Sequence, residues 1–347
     1  MLAFVYKGPG DLSLQDAPMP KVANDNAVMK IEASSICGTD LRAFRFGSSK
    51  IKPPRIIGHE AVGTITEIGK DVKGFAVGDR VQIAPALGCG ACPCCRKGYT
   101  NLCDNLQTIG FDYDGTFAEY MEIPARAFAR DHVTKVADSV PSTEAVLAEP
   151  IACIVNAQAH LNIGEGDTVT VFGSGFIGTM HAQLAFRKGA SKVFMVEINE
   201  HRIAMAKSVL PELIIINSQK VNLQDEIMKH TDGHGVDVAI TACSVGSAQV
   251  DAMNIIAKRG RVSLFGGLPK ETTGFIDSNI IHYKEVSVHG AHASTAAQNR
   301  EVLAMIEAGA FPLKSYTKAP FHLKDILKAF EALNEESIAK AVLIPGD

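Results

Sequence analysis

The 347-residue chain has no run of lysine and arginine, and its 34 basic and 38 acidic residues leave a net charge of −4. Without a basic stripe there is little to neutralise phosphates, so nucleic acid and anionic membrane drop out as partners. No apolar run reaches the ~20 residues that a membrane-crossing helix requires. The opening stretch, MLAFVYKGPGDLSL, lacks a basic leading segment and breaks at Gly8-Pro9-Gly10, so neither a signal peptide nor a transit peptide is expected. There is no internal repeat and no low-complexity tract. These absences leave a cytoplasmic protein as the expectation. With 46% hydrophobic residues, the chain can bury two cores of moderate size.

Cysteine is scarce except in one place. Five of the eight fall in residues 87–103, LGCGACPCCRKGYTNLC, as Cys89, Cys92, Cys94, Cys95 and Cys103. A disulfide knot, a redox pair and a metal site compete to explain them. A reducing compartment removes the first, and four regularly spaced thiols exceed what a dithiol couple requires. Cys89, Cys92 and Cys95 are each separated by two residues, and Cys103 follows after seven more. Four thiolates close a tetrahedral shell around zinc and leave no open position, so lobe 88–104 reads as a structural zinc site. Cys94 is the spare thiol; regular spacing favours Cys95 as the ligand.

The texture of the chain changes along its length. Short β-branched runs with Gly and Pro (AVMKIEASSI, AVGTITEIG, DRVQIAP, GTFAEYMEI) read as antiparallel strands up to about residue 150. A helical pattern starts near Glu144. From Thr168 strand-like runs (TVTVFG, KVFMVEI, LIIINS, VDVAITAC, RVSLFGG, EVSVHG) alternate with helix-like ones, among them AQVDAMNIIAKRG. That alternation predicts a doubly wound parallel α/β sheet. Two domains are therefore expected, one from residues 1–150 and 290–347 and one from 151–289. Helix patterns and a last strand, KAVLIPG, close the chain.

Within the α/β segment, TVTVFGSGFIG carries G-x-G-x-x-G at Gly173, Gly175 and Gly178, after a strand and opening a helix through Phe176 and Ile177. This context makes it a dinucleotide fingerprint: a tight turn, a close approach to pyrophosphate and close helix packing, with helix N–H groups aimed at phosphate. Glu197, nineteen positions beyond Gly178, is the candidate for the ribose hydroxyls and would repel a 2′-phosphate, favouring NAD over NADP. Arg202 nearby would blunt that preference.

Three further residues, Cys37 in SSICGTDLRAF, His59 in RIIGHEAVGTI and Glu149 in LAEPIAC, are of types that hold a catalytic zinc with one open position. Singly they read as a core thiol, a buried histidine and a first-turn helix carboxylate. The ordered set C-G-T-D, G-H-E, C-x2-C-x2-C-x7-C, E-P and G-x-G-x-x-G resembles the zinc-containing medium-chain dehydrogenase/reductase family over nearly the whole chain. Glu149-Pro150 is similar to its polyol (sorbitol-type) and threonine dehydrogenase branch.

The resemblance implies a GroES-like, mostly-β catalytic domain beside a Rossmann domain. It implies two zinc ions per chain, NAD, and a homodimer or homotetramer. The implied reaction is reversible oxidation of a secondary alcohol, a polyol in the first instance. A sugar-phosphate or polyol-phosphate, or a threonine-type amino alcohol, is the alternative, and a non-catalytic binding protein a further one. The resemblance implies Cys37, His59 and Glu149, or a water on Glu149, as zinc ligands, with Glu60 as a transient ligand. It makes Thr39 the acceptor of the substrate proton. Arg42 stands where the family often has a relay histidine, and a guanidinium cannot act as a base. Gly266 and Lys340 are implied at the cofactor, Lys340 near its phosphates. Cys153, His289 and His292 are weaker candidates.

Overall fold

The computed structural model describes residues 1–269, 272, 274 and 276–346. The chain divides into two compact units, Met1–Ala152 with Ala293–Asp347, and Cys153–His292. The boundaries expected after residues 150 and 289 fall two and three positions short of these.

The first unit is built on a mixed sheet whose central strand is β1 (Ala27–Ser35). Only Lys30 along β1 is fully exposed, as suits a strand paired along both edges and covered on both faces. β1 pairs antiparallel with β2 (Glu60–Ile68), with Tyr120–Ile123 and, at its far end, with the last strand, Val342–Ile344. Met29, Ile31, Ile65, Val81 and Met121 fill one core, and Tyr6, Ile57, Phe117 and Phe330 another. Two consequences of register position the site. Ser35 stands opposite Glu60, so the residues just past the end of β1 meet those just before β2. Ser35 also stands opposite Val342, and continuing that antiparallel register brings Lys340 opposite Cys37. Helix α1 (Gly38–Phe46) leaves the end of β1, and helix α2 (Ala148–Ala159) carries Glu149 in its first turn.

The second unit is a six-stranded, wholly parallel sheet. In space its strands run Ile214–Ile216, Lys192–Val196, Thr168–Phe172, Val236–Thr241, Ile256–Leu264 and Ser287–Gly290. Counted along the chain this is order 3-2-1-4-5-6, the doubly wound arrangement. Alternate residues serve opposite faces: Val169, Val171, Val193 and Met195 pack on one side, Phe172, Phe194 and Val196 on the other. With both faces covered, the strands read as continuous apolar runs. Thr168–Phe172, here β3, leads through Gly173 into helix α3 (Phe176–Arg187); β4 is Lys192–Val196.

One expected helix is shortened. The run AQVDAMNIIAKRG is helical only to Ile255, and Ile256 opens the fifth strand. Adjacent β-branched residues favour extended backbone there, and Arg259 with φ 58° breaks any helical continuation.

Candidate active site and its metal centres

Cys37, His59 and Glu60 come together where β1 ends and β2 begins. One donor atom from each lies within 4.8 Å of the others. Donors on a tetrahedral zinc stand ~3.3–3.8 Å apart, as follows from bond lengths of ~2.0–2.3 Å, so small side-chain adjustments suffice to close on an ion. Gly58 sets the entry of His59: its φ is 92°, and a Cβ there would meet Thr116 Oγ1 at 2.5 Å and the Phe117 ring at 2.7 Å. His59 and Glu60 are buried and Cys37 half-buried, so the thiol is the side open to a small molecule.

Asp40 ties two of these groups to one another. It lies buried in the first turn of α1, where Oδ2 accepts from the Cys37 amide at 2.9 Å and Oδ1 lies 3.4 Å from His59 Nδ1. That turns Nδ1 toward a carboxylate and leaves Nε2 as the metal-binding nitrogen, the usual arrangement of a ligating histidine. Burial lowers the proton affinity of His59, but the charges of Asp40 and Cys37 outweigh it and hold the ring well above its ordinary value. The pocket thus favours positive charge at His59, which a bound cation satisfies as well as a proton.

Glu60 is anchored through one oxygen. Oε2 accepts from Ser35 Oγ, its cross-strand partner, and from Lys340 Nζ at 2.6 Å. Oε1 is buried with no hydrogen-bond partner among the described residues. An orphaned carboxylate oxygen beside a thiol and an imidazole fits a metal ligand better than a purely structural group. Lys340 also donates to Ile36 O at 2.9 Å. Burial works against its charge, yet Glu60, Cys37 and Glu149 together raise its proton affinity. The lysine read as a phosphate contact therefore has its ammonium in the interior of the first unit, on Glu60. It lies two residues before the last strand, which pairs with β1, a neighbour distant in sequence.

Glu149 is buried near enough for its charge to act on Lys340, but it is not one of the three residues grouped within 4.8 Å. Thr39 Oγ1 is 3.6 Å from Cys37 Sγ. Arg42 is exposed on α1, and Phe44, which α1 turns inward, packs edge-on against Phe330 at 5.4 Å.

Cys89, Cys92, Cys95 and Cys103 form the second cluster, again within 4.8 Å; Cys94 is outside it. The short helix Pro93–Arg96 holds Cys92 and Cys95 one turn apart. Backbone amides point at the sulfurs: Ala91 and Cys92 to Cys89 at 3.4 Å, Cys95 to Cys92 at 3.4 Å, Cys89 to Cys103 at 3.1 Å. The amides of Ala91 and Cys92 bring the Cys89 thiol down to about 6. Burial pushes Cys95 up to about 12 and Cys103 upward. Four thiolates without a counter-ion repel one another, and a bound cation is what allows all of them to ionise.

In the second unit Gly173 takes φ 96°, and a Cβ on Gly178 would meet Gly173 O at 1.8 Å. A Cβ on Gly175 would meet nothing within 4 Å, so protein packing does not require that glycine, and the space beside it is open to the close approach that a dinucleotide fingerprint calls for. Phe176 is buried, while Ile177 is half-buried at the start of α3. Glu197 follows β4 and is 8% exposed. Its Oε2 accepts from Ser174 N (3.1 Å) and Ser174 Oγ (2.9 Å), and its Oε1 from Ile198 N (2.8 Å) and Asn199 N (3.0 Å). Burial would raise this carboxyl, but those hydrogen bonds win and keep it below the usual range. Arg202, half-buried, follows on the next helix (Glu200–Val209). Gly266 has a reason internal to the protein, because a Cβ there would strike Cys243 O at 2.2 Å. His289 stacks on His160 with centroids 5.7 Å apart, and the His292 carbonyl accepts from Asn156; neither joins a metal-ligating group among the described residues.

The family model described as "Alcohol dehydrogenase GroES-like domain" matches residues 23–135, and that described as "Zinc-binding dehydrogenase" matches residues 177–308. L-threonine 3-dehydrogenase from Pyrococcus horikoshii is 35% identical over 295 residues, covering 84% of this chain and 82% of the relative. The chain belongs to the zinc-containing medium-chain dehydrogenase/reductase family. Two solved structures of similar fold are 2R,3R-butanediol dehydrogenase from Bacillus subtilis and an alcohol dehydrogenase from Escherichia coli CFT073 complexed with NADH. The former has TM-score 0.90, 25% identity and 99% of each chain covered; the latter 0.89, 25% and 99% of each. This medium-chain dehydrogenase/reductase is a zinc-dependent, NAD(P)-dependent oxidoreductase with the expected GroES-like and Rossmann-type folds. No helix among its described residues is long and apolar enough to cross a membrane.

Sequence reasoning missed Asp40, Ser35 and Ser174. Asp40 stood in view inside C-G-T-D, but a carboxylate in a helix's first turn ordinarily serves the dipole. Ser35 and Ser174 carried no signal in the sequence, since a serine's partner is known only once the strands or loops are paired.

Proposed function

We propose that this dehydrogenase oxidises a secondary alcohol whose neighbouring carbon carries a polar group, with a 3-hydroxy amino acid of the L-threonine type as substrate and NAD as acceptor. The observation that carries the chemistry is the buried grouping of Cys37, His59 and Glu60 with one side open at the thiol. The relative named L-threonine 3-dehydrogenase supports the amino-alcohol reading over the polyol first expected. The structural neighbour named for 2R,3R-butanediol keeps a diol as the second reading. The alcohols in both names share a secondary carbinol bonded to a carbon that carries a heteroatom.

Cys37, His59 and Glu60 are the residues that would hold the catalytic metal, with Glu149 adjacent or joined through water. Cys89, Cys92, Cys95 and Cys103 would hold the structural one. Zinc, when bound, supplies a Lewis acid that makes an alcohol proton easier to lose. The nicotinamide's hydride chemistry belongs to the cofactor. The chain's own residues do the rest. Asp40 fixes the ring of His59, and Lys340 with Ser35 holds one oxygen of Glu60. Thr39 Oγ accepts the substrate's hydroxyl proton and hands it on. Arg42 cannot relay it as a base; its permanent charge, one turn after Thr39, suits a substrate carboxylate instead. The amides at the start of α3 receive the pyrophosphate, and Glu197 faces the ribose.

The test is a substrate panel. L-threonine, 2R,3R-butanediol, sorbitol and a polyol phosphate are offered with NAD while reduced cofactor is followed by absorbance. Turnover of L-threonine with the highest kcat/KM is the expected result. A higher value for a polyol or its phosphate would reverse the substrate reading, and no turnover of any secondary alcohol would remove the reading altogether.

A further inference from the structure

Glu197 has no lone pair to spare. A carboxylate offers about four acceptor positions, and four donors take them: Ser174 N, Ser174 Oγ, Ile198 N and Asn199 N, at 2.8–3.1 Å. A ribose hydroxyl arriving there is a fifth donor. Three of the four residents are backbone amides, locked by the glycine turn and by the segment that follows β4. Only the Ser174 hydroxyl can leave, since rotation about one side-chain bond removes it without moving the main chain.

We propose that Ser174 is a positioning residue that gates the adenosine ribose. In the free protein its hydroxyl satisfies the buried carboxylate, and binding exchanges that hydrogen bond for one from the ribose 2′-hydroxyl. The inference rests on the reading of Glu197 as the ribose residue. Ser174 then lowers affinity for NADH, because the bond it makes in the free state is forfeited on binding. Its amide stays in place and keeps the glycine turn tied to Glu197.

The test is direct titration of the zinc-loaded protein with NADH and with its 2′-deoxyadenosyl analogue, followed by cofactor fluorescence. Ser174→Ala is expected to bind NADH about tenfold more tightly than wild type, the size of one hydrogen bond to a charged group. Its affinity for the deoxy analogue should not change, since that ligand displaces nothing. Ser174→Thr, which restores a hydroxyl, should return toward wild type. Weaker NADH binding by Ser174→Ala, or equal tightening toward both ligands, overturns the gate, because a serine that merely supports the loop acts in those ways. Glu197→Gln separates this failure from failure of the underlying reading. If that variant binds NADH as wild type does, the ribose assignment itself is wrong.

Discussion

Asp40 and Lys340 act on the site without being its expected ligands. Asp40 touches Cys37 and His59 at once, so Asp40→Ala frees both to rotate. Outer-shell partners of this kind carry about 10–100-fold in metal affinity. Competition with a chelator should reveal that loss at one zinc per chain, while the four-cysteine site keeps its ion; equal retention at both sites would refute the role given to Asp40. Lys340 and Glu60 form an ion pair whose side chains are 6% and 0% exposed. Removing one partner leaves a charge buried without compensation, which costs about 3–5 kcal/mol. Lys340→Met should lower unfolding free energy by that amount in urea, and Lys340→Met with Glu60→Leu should recover most of it. A single variant as stable as wild type would mean that the pair is solvated.

At the level of the strand–turn–helix element, two glycines of one motif should separate stability from binding. Gly178→Ala drives a methyl group into the Gly173 carbonyl, forcing α3 off β3; overpacking of this sort costs about 1–3 kcal/mol. Gly175→Ala meets no protein atom, and its φ of −66° is ordinary for alanine. It should unfold within about 0.5 kcal/mol of wild type yet lose NADH affinity, because the methyl group occupies the line of approach to pyrophosphate. Urea denaturation and NADH titration of both variants check the contrast. A Gly175→Ala protein that binds NADH normally would detach the motif from the dinucleotide.

Acid should destabilise the whole molecule through two histidines. His181 in the second unit and His132 in the first are buried, and burial lowers their proton affinity to about 3 and about 4. His132 accepts from the Gly88 amide at Nε2, and His181 pairs with Gln158. Unfolded, both take up a proton near pH ~6.5. Below that pH the unfolded chain binds protons that the folded one refuses, so stability falls by about 1.4 kcal/mol per pH unit for each group. The loss for each ends at its folded value. Urea midpoints at pH 7.5 and 5.5 should drop accordingly, and His181→Gln should reduce the slope by one group's share. A midpoint indifferent to pH over that range would mean that both rings are accessible to water.

Sequence alone determined whatever is encoded by local spacing. The thiols at 89, 92, 95 and 103 are close along the chain, so a short loop and one helical turn can bring them together. The fingerprint lies within a single strand–turn–helix, and continuous apolar strand runs alternating with helical ones report a parallel sheet covered on both faces. Tertiary structure decided what depends on pairing between distant segments. Lys340 reaches Glu60 because the last strand joins β1, some 300 residues earlier in the chain. Ser174 reaches Glu197 because β3 and β4 lie side by side. A polar side chain's chemistry depends on which donor or charge stands within about 3 Å of it, and only the folded backbone sets that distance.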